Sequence, residues 1–129
     1  MSAVLDTHAL VWWSQEPSLL GEGAAREIDR ADFLVVPVIC FWEVALLVRR
    51  KRLALKRNQT VADWAAMVLA IPRVRAEPLT PELALAADAL AMHPDPADRF
   101  IAATALSLRA PVVTKDALLR GLAWLRTVW

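Results

Sequence analysis

Short apolar segments alternate with segments of helical periodicity, and this alternation constrains the fold more than any other feature. The apolar segments at 3–5, 33–36, 73–77, 111–114 and 123–129 are predicted to be strands. The segments at 7–13, 17–31, 39–52, 60–70, 83–92, 96–109 and 117–122 are predicted to be helices. Strands that alternate with helices form a mostly parallel sheet covered on both faces. The sequence therefore predicts a single α/β domain over residues 1–129.

The chain length of 129 residues suits one domain with its own core. The longest apolar run, at 33–42, is interrupted by Pro37 and is far shorter than the roughly 20 residues of a bilayer-spanning helix. The sequence does not open with a basic segment followed by an apolar one, so we expect a cytoplasmic protein. Hydrophobic residues make up 57% of the chain, and this surplus predicts an apolar surface for a partner chain or a second copy.

Acidic residues follow the predicted strands or open the helices beside them. Asp6 comes directly after the first strand, and Asp116 follows the fourth strand. Glu43 lies one turn into the helix after the second strand, whereas Asp95 and Asp98 open the helix that leads to the fourth. Ligand sites of open parallel sheets lie beyond the carboxyl ends of the strands. We therefore expect these carboxylates to meet at one edge of the sheet.

Most of these acids also have an ordinary structural interpretation. Asp6 and Asp95 are suitable N-caps for the helices that follow them. Asp98, in a first helical turn, complements the helix dipole. Asp116 could be a simple loop acid. No one of these four residues by itself indicates a functional site.

Glu43 is harder to explain because its sequence neighbours are apolar. A buried carboxylate needs a partner, which could be a cation such as Arg99 or a metal ion. Several acids at one edge also repel one another unless a cation lies between them. Carboxylate oxygens favour Mg²⁺ or Mn²⁺. His8 and His93 lack the spacing of a zinc site, and Cys40 is the single cysteine.

Only three glycines are present, and no Gly-rich phosphate loop can be formed from them. A hard cation held by acids, without such a loop, suits hydrolysis of a phosphodiester. A dense basic block covers 49–57 and could hold a nucleic-acid backbone, although a solvated helix end explains it nearly as well. The candidate RNA-binding residues are Arg49, Arg50, Lys51, Arg52 and Lys115.

Four segments occur in a fixed order: LDTHAL at 5–10, WEVA at 42–45, HPDPADRFIAATAL at 93–106 and VTKD at 113–116. Together they resemble the signature blocks of PIN-domain ribonucleases, and most of all those of VapC-type toxins from bacterial toxin–antitoxin pairs. The resemblance extends over nearly the whole chain. It departs in small ways, with Cys40 where a serine is common and Ala97 where a bulky aromatic residue is common.

The resemblance implies an α/β/α sandwich and Mg²⁺- or Mn²⁺-dependent endonucleolytic cleavage of RNA. It also implies a homodimer that a VapB-like antitoxin neutralises. The metal-binding and catalytic acids of the family correspond here to Asp6, Glu43, Asp98 and Asp116. Supporting roles are expected for Asp95, Thr7 and Thr114.

Two other functions stay open on the sequence alone. One is a binding module that keeps the PIN fold without its chemistry. The other is phosphoryl transfer through an aspartyl-phosphate on Asp6. A site like that of the haloacid dehalogenases would need a second aspartate two residues later, where this chain has His8.

Overall fold

Five parallel strands form the central sheet of the computed structural model, which describes all residues, 1–129. Ala3 pairs with Leu34 on one side of the first strand, and Val4 pairs with Val112 on the other. The sheet confirms the predicted α/β fold. Its strands are β1 (Ser2–Leu5), β2 (Phe33–Pro37), β3 (Val74–Glu77), β4 (Val112–Val113) and β5 (Thr127–Val128), in the spatial order β3-β2-β1-β4-β5.

Seven α-helices connect these strands, and two 3₁₀ turns lie at Pro17–Leu19 and Lys56–Asn58. Because parallel crossovers are right-handed, the helices before β3 cover one face of the sheet and the next two cover the other. None of the helices is both long and apolar enough to span a bilayer. The helices are α1 (Thr7–Gln15), α2 (Glu22–Arg30), α3 (Val38–Arg49), α4 (Val61–Leu69), α5 (Pro81–Asp88), α6 (Pro96–Leu108) and α7 (Ala117–Arg120).

The core is one cluster of 26 buried residues that joins the sheet to both helical layers. Trp64 is its largest fully buried side chain, and its indole Nε1 donates a hydrogen bond to Ser14 Oγ at 2.9 Å. Cys40 is also fully buried, and this burial raises the pKa of its thiol. The thiol therefore stays protonated and serves as a small core side chain.

Helix α3 ends at Arg49, three residues before its predicted end at position 52. Lys51 adopts a left-handed backbone with φ of 56°, so its N–H bonds to Val48 O and the Arg52 N–H bonds to Leu47 O. This is the Schellman arrangement, which usually has glycine at the left-handed position. Because this position is a lysine and not a glycine, the sequence does not indicate that the helix ends here.

Other element ends also differ from the predictions. The helix expected over 17–31 begins only at Glu22, after the 3₁₀ turn, and the strand expected over 123–129 is limited to Thr127–Val128. Helix α5 stops at Asp88 instead of position 92. The carbonyls of Ala87 and Asp88 accept hydrogen bonds from the side chain of Arg99, which gives this helix end a distant partner that its own sequence does not reveal.

The order of the strands fixes where a site can form. Chain connections from β1 run towards β2, whereas those from β4 run towards β5 on the opposite side. Crevices in open α/β sheets lie at such a reversal, outside the carboxyl ends of the two strands. Asp6 directly follows β1, and Asp116 lies three residues after the end of β4. Both acids are therefore at the switch point.

Candidate active site

A cavity of about 160 Å³ lies at this switch point. Its walls come from the segments that follow β1 and β4 and from α1, α3 and α6, so residues distant in sequence line the same cavity. Thr7, His8, Leu47 and Ile101 complete its lining. The acidic residues that line it are Asp6, Glu43, Asp95, Asp98 and Asp116.

Asp6 is buried, and its carboxylate connects the first turn of α1 to the segment that follows β4. Its Oδ1 accepts a hydrogen bond from the Ala9 N–H at 2.8 Å, which caps α1, and its Oδ2 accepts one from the Thr114 hydroxyl. The Thr114 oxygen in turn accepts from the Asp116 N–H at 3.0 Å. Thr114 thus connects the acids that follow β1 and β4. Asp6 is the N-cap that its position predicted, and its carboxylate also faces the cavity.

Glu43 is half-buried on α3, and its Oε1 accepts a hydrogen bond from the Thr7 hydroxyl. It makes no ion pair with Arg99, so that possible partnership is wrong. The guanidinium of Arg99 instead donates to backbone carbonyls, among them that of Met92 at 2.8 Å. Glu43 therefore lies in the cavity without a cationic side chain to balance its charge.

Asp98 has a partner that sequence analysis missed. His93 Nε2 lies 2.7 Å from Asp98 Oδ2, and both side chains are largely enclosed. Asp95 caps α6 through Oδ1, which accepts from the Ala97 N–H at 2.9 Å. Pro94 and Asp95 separate His93 from α6, whose first residue is Pro96. The path of that loop determines the contact, and no local periodicity reports it.

Asp116 is the most exposed of the four acids assigned to the site. Its Oδ1 accepts from the Leu118 N–H at 2.7 Å and caps the short helix α7. Asp116 is therefore a helix cap and not the simple loop acid that its sequence context allows. The same carboxylate also borders the cavity, next to the Thr114 and Asp6 pair.

Burial is the main cause of unusual acidity in the cavity. It raises the pKa of Asp6, Glu43 and Asp98 above their ordinary values, and the hydrogen bonds from Thr114, Thr7 and His93 oppose that effect. Neighbouring acids raise these pKa values further: Asp95 and Asp98 act on Glu43, and Asp95 and Asp116 act on Asp98. The cavity is thus a site of uncompensated negative charge.

Comparisons with known proteins identify the family of this chain. The family model described as PIN domain matches residues 3–125. The chain belongs to the PIN domain family. It is 38% identical over 132 residues to Ribonuclease VapC22 of Mycobacterium tuberculosis, covering 99% of this chain and 98% of that protein.

Two solved structures share the fold of this PIN-domain chain. The crystal structure of VapBC2 from Rickettsia felis bound to a DNA fragment from their promoter matches with a TM-score of 0.70 and 14% identity, covering 98% of this chain and 97% of that one. A toxin-antitoxin complex from Klebsiella pneumoniae matches with a TM-score of 0.64 and 16% identity, covering 94% and 92%. At these identities the likeness establishes a shared fold.

The donor atoms of this PIN-domain cavity fit a hard divalent cation, because they are carboxylate oxygens and none is paired with lysine or arginine. In the conformation described, no three acidic, histidine or cysteine side chains are arranged to hold one ion together. Each carboxylate instead directs at least one oxygen at a protein donor. The carboxylates are therefore gathered in one cavity, and their oxygens are not arranged around a single point.

The basic residues predicted to hold RNA lie outside the cavity. Residues 49–52 are exposed at the end of α3, and none of them forms an ion pair. Arg49 follows Glu43 by six residues, which corresponds to about 9 Å along the helix axis. Lys115 is exposed beside Asp116, with its Nζ 5.9 Å from the ring centroid of Trp12. These cations flank the acids without neutralising them.

The raised pKa values predict an unusual pH dependence of stability in the absence of divalent ions. The folded state holds protons on Asp6, Glu43 and Asp98 to higher pH than the unfolded state, whose ordinary pKa values are 3.8, 4.5 and 3.8. Their contribution to the free energy of unfolding is thus fully present below about pH 3.8 and is lost as the pH rises through the folded-state pKa values.

We expect the thermal midpoint in EDTA to fall more between pH 5 and pH 7.5 for the natural chain than for Asp6→Asn. The difference should amount to a few degrees, since 1 kcal/mol corresponds to about 2–8 °C in domains of this size range. Differential scanning calorimetry of both proteins at the two pH values measures it. Equal slopes for the two proteins would contradict the prediction.

Proposed function

We propose that this chain is a divalent-metal-dependent endoribonuclease and the toxin of a VapBC-type toxin–antitoxin pair. The observation that carries the proposal is the convergence of acids from four separate segments on one cavity without a lysine or arginine partner. The ribonuclease named among its relatives, which is similar along the whole chain, supports the same activity.

The proposed ligands of Mg²⁺ or Mn²⁺ are Asp6, Glu43, Asp98 and Asp116. When bound, the ion supplies Lewis-acid stabilisation of the charge that develops on the phosphate and on the leaving oxygen. The hydroxyls of Thr7 and Thr114 orient the carboxylates of Glu43 and Asp6, which they contact directly. Asp95 fixes the first turn of α6, and with it the backbone of Asp98.

The RNA backbone needs cations near the acids, because the cavity itself repels phosphates. We assign this role to the exposed basic residues on both sides of it. Charges of this kind contribute affinity without base specificity, and binding should weaken as salt concentration rises. They are Arg49, Arg50, Lys51 and Arg52 at the end of α3, and Lys115 before α7.

We infer that a VapB-type antitoxin binds this chain and neutralises its activity. We also infer that the active protein is a homodimer and that it acts in the cytoplasm. The two solved neighbours that contain toxin–antitoxin complexes support the first assignment. Exposed apolar side chains support the need for a partner surface. Val38 and Trp42, four residues apart on one face of α3, are 43% and 57% exposed.

The decisive experiment is sequencing of RNA ends after incubation with purified, partner-free protein. We expect internal breaks in the presence of Mg²⁺ or Mn²⁺ and none in EDTA. Cleavage that persists in EDTA would reject metal dependence. A protein that binds a small antitoxin-like partner yet cuts no RNA with either ion would be a binding module instead.

A further inference from the structure

Three aromatic rings form a continuous row that starts at the acidic cavity. His8 lines the cavity, and its ring centroid lies 5.6 Å from that of Trp12. The Trp12 centroid lies 5.5 Å from that of Trp129, in an edge-to-face arrangement. We call His8, Trp12 and Trp129 the aromatic row. His8 is exposed and the two tryptophans are half-buried, so the row presents ring surface to solvent.

Two glycines, Gly21 and Gly23, pack closely against Trp129 at the far end of the row. A Cβ atom at Gly23 would lie 2.3 Å from the backbone oxygen of Trp129, and one at Gly21 would lie 2.7 Å from its ring carbon Cδ1. Real side chains cannot approach so closely, so both positions exclude larger residues. Trp129, at the far end of the row, is therefore held in place by packing before any ligand arrives, which lowers the ordering cost of binding.

A cation lies beside the row. Lys115 Nζ is 5.9 Å from the Trp12 ring centroid, and the next residue, Asp116, borders the acidic cavity. Ring surface and a lysine thus occur together at the edge of a carboxylate site. Single-stranded nucleic acid offers the matching alternation, since each base stacks on aromatic rings and each phosphate attracts a cation.

We propose that the aromatic row is a nucleobase subsite of the RNA substrate. A base next to the scissile phosphate stacks on Trp12, and the phosphate attached to it contacts Lys115. The inference rests on the proposed ribonuclease function and adds to it a contact with the base. In single-strand binders such stacking changes affinity by about tenfold or more per base.

A double-mutant cycle tests this contact. Fluorescence anisotropy would measure binding of labelled single-stranded RNA to Asp6→Asn protein, with and without Trp12→Ala, in Mg²⁺. A second RNA carries an abasic nucleotide, moved in turn through each position near the mapped cleavage site. We expect Trp12→Ala to weaken binding of intact RNA about tenfold, and to have no further effect when the abasic position is the one that faces Trp12.

The control variant is Trp124→Ala. Trp124 is 39% exposed and borders a separate cavity with Leu106 and Leu125, away from the acids. Its removal should leave RNA affinity unchanged. Trp12→Leu, which keeps a branched apolar side chain without an aromatic ring, replaces the alanine variant if that one fails to fold, and it should show the same loss.

The RNA affinities and activities of these variants either support the nucleobase subsite or reject it. Equal RNA affinities for the Trp12 and Trp124 variants would reject it, even if the natural chain cleaves RNA. A Trp12→Leu variant that binds and cuts RNA normally but escapes its antitoxin would assign the row to protein docking and reject the subsite. Failure of the ribonuclease proposal appears separately, as absence of any metal-dependent cleavage by the natural chain.

Discussion

Asp6→Asn is expected to lower metal-dependent RNA cleavage by more than about a hundredfold, since loss of even an outer-shell partner commonly costs about 10–100-fold. The carboxylate lies at the switch point between β1 and β4 and contacts Thr114, which connects it to Asp116. An amide keeps the shape of the side chain but removes the negative charge that attracts the ion. Initial cleavage rates at saturating Mn²⁺ measure the effect.

The fold should survive this substitution. Asparagine can still accept the hydrogen bond from the Ala9 N–H that caps α1, and its amide can donate to the Thr114 oxygen. The substitution also removes a buried carboxyl group whose pKa is raised mainly by burial. The thermal midpoint at pH 7.5 in EDTA should therefore stay the same or rise. Loss of activity accompanied by unfolding would not support a metal-binding role.

Asp29→Asn is the matched control, because Asp29 is exposed on α2 and forms no ion pair. The same chemical change at that position should leave cleavage and stability unchanged. Glu43→Gln should follow Asp6→Asn in activity, since Glu43 holds an equivalent place in the cavity. Full metal-dependent activity in either Asp6→Asn or Glu43→Gln would contradict the assignment of ligands.

The parts of this structure that depend on local pattern could be predicted from the sequence. Strands β1 and β2 and helix α6 lie within a residue or two of their predicted bounds, because short apolar runs and an Asp-Pro start are strong local signals. The order of strands and acids was enough to place Asp6 and Asp116 at one edge. Their convergence with Glu43 and Asp98 follows from the general rule for parallel sheets.

The parts that depend on distant contacts could not be predicted. Lys51 ends α3 in a conformation that usually indicates glycine, so the local signal was misleading. His93 meets Asp98 because of the path of the loop that contains Pro94. The sequence leaves Arg99 open as an ion-pair partner of Glu43, because a buried carboxylate needs a partner. Its actual partners are backbone carbonyl groups. Every residue has such a group, so the sequence does not indicate which of them Arg99 contacts.

Arg99 determines the conformation of that loop. Its Nε donates to His93 O at 3.1 Å, its Nη2 donates to Met92 O at 2.8 Å, and its Nη1 donates to three further carbonyls at 3.0–3.2 Å. Residues 89–95 form no regular element, and the carbonyls of Met92 and His93 accept no backbone hydrogen bond. The guanidinium therefore connects the end of α5 to the first turn of α6, where Asp95 and Asp98 lie.

We expect Arg99→Lys to lower the free energy of unfolding by about 2 kcal/mol, since hydrogen bonds to a charged group contribute about 1.5–3 kcal/mol and one ammonium cannot reach carbonyls on both sides of the loop. Urea denaturation measures this loss. Arg126→Lys, at an exposed arginine with no side-chain hydrogen bond to another residue, is the control and should change little.

The same substitution should also lower cleavage about 10–100-fold, as for other residues that orient a metal ligand. The loop presents His93 to Asp98, so a relaxed loop leaves that carboxylate without its neighbour. The loss should appear as a higher Mn²⁺ concentration for half-maximal activity at a temperature where the variant is fully folded. If stability falls but the Mn²⁺ requirement per folded molecule does not change, Arg99 acts on the fold alone and the loop does not orient Asp98.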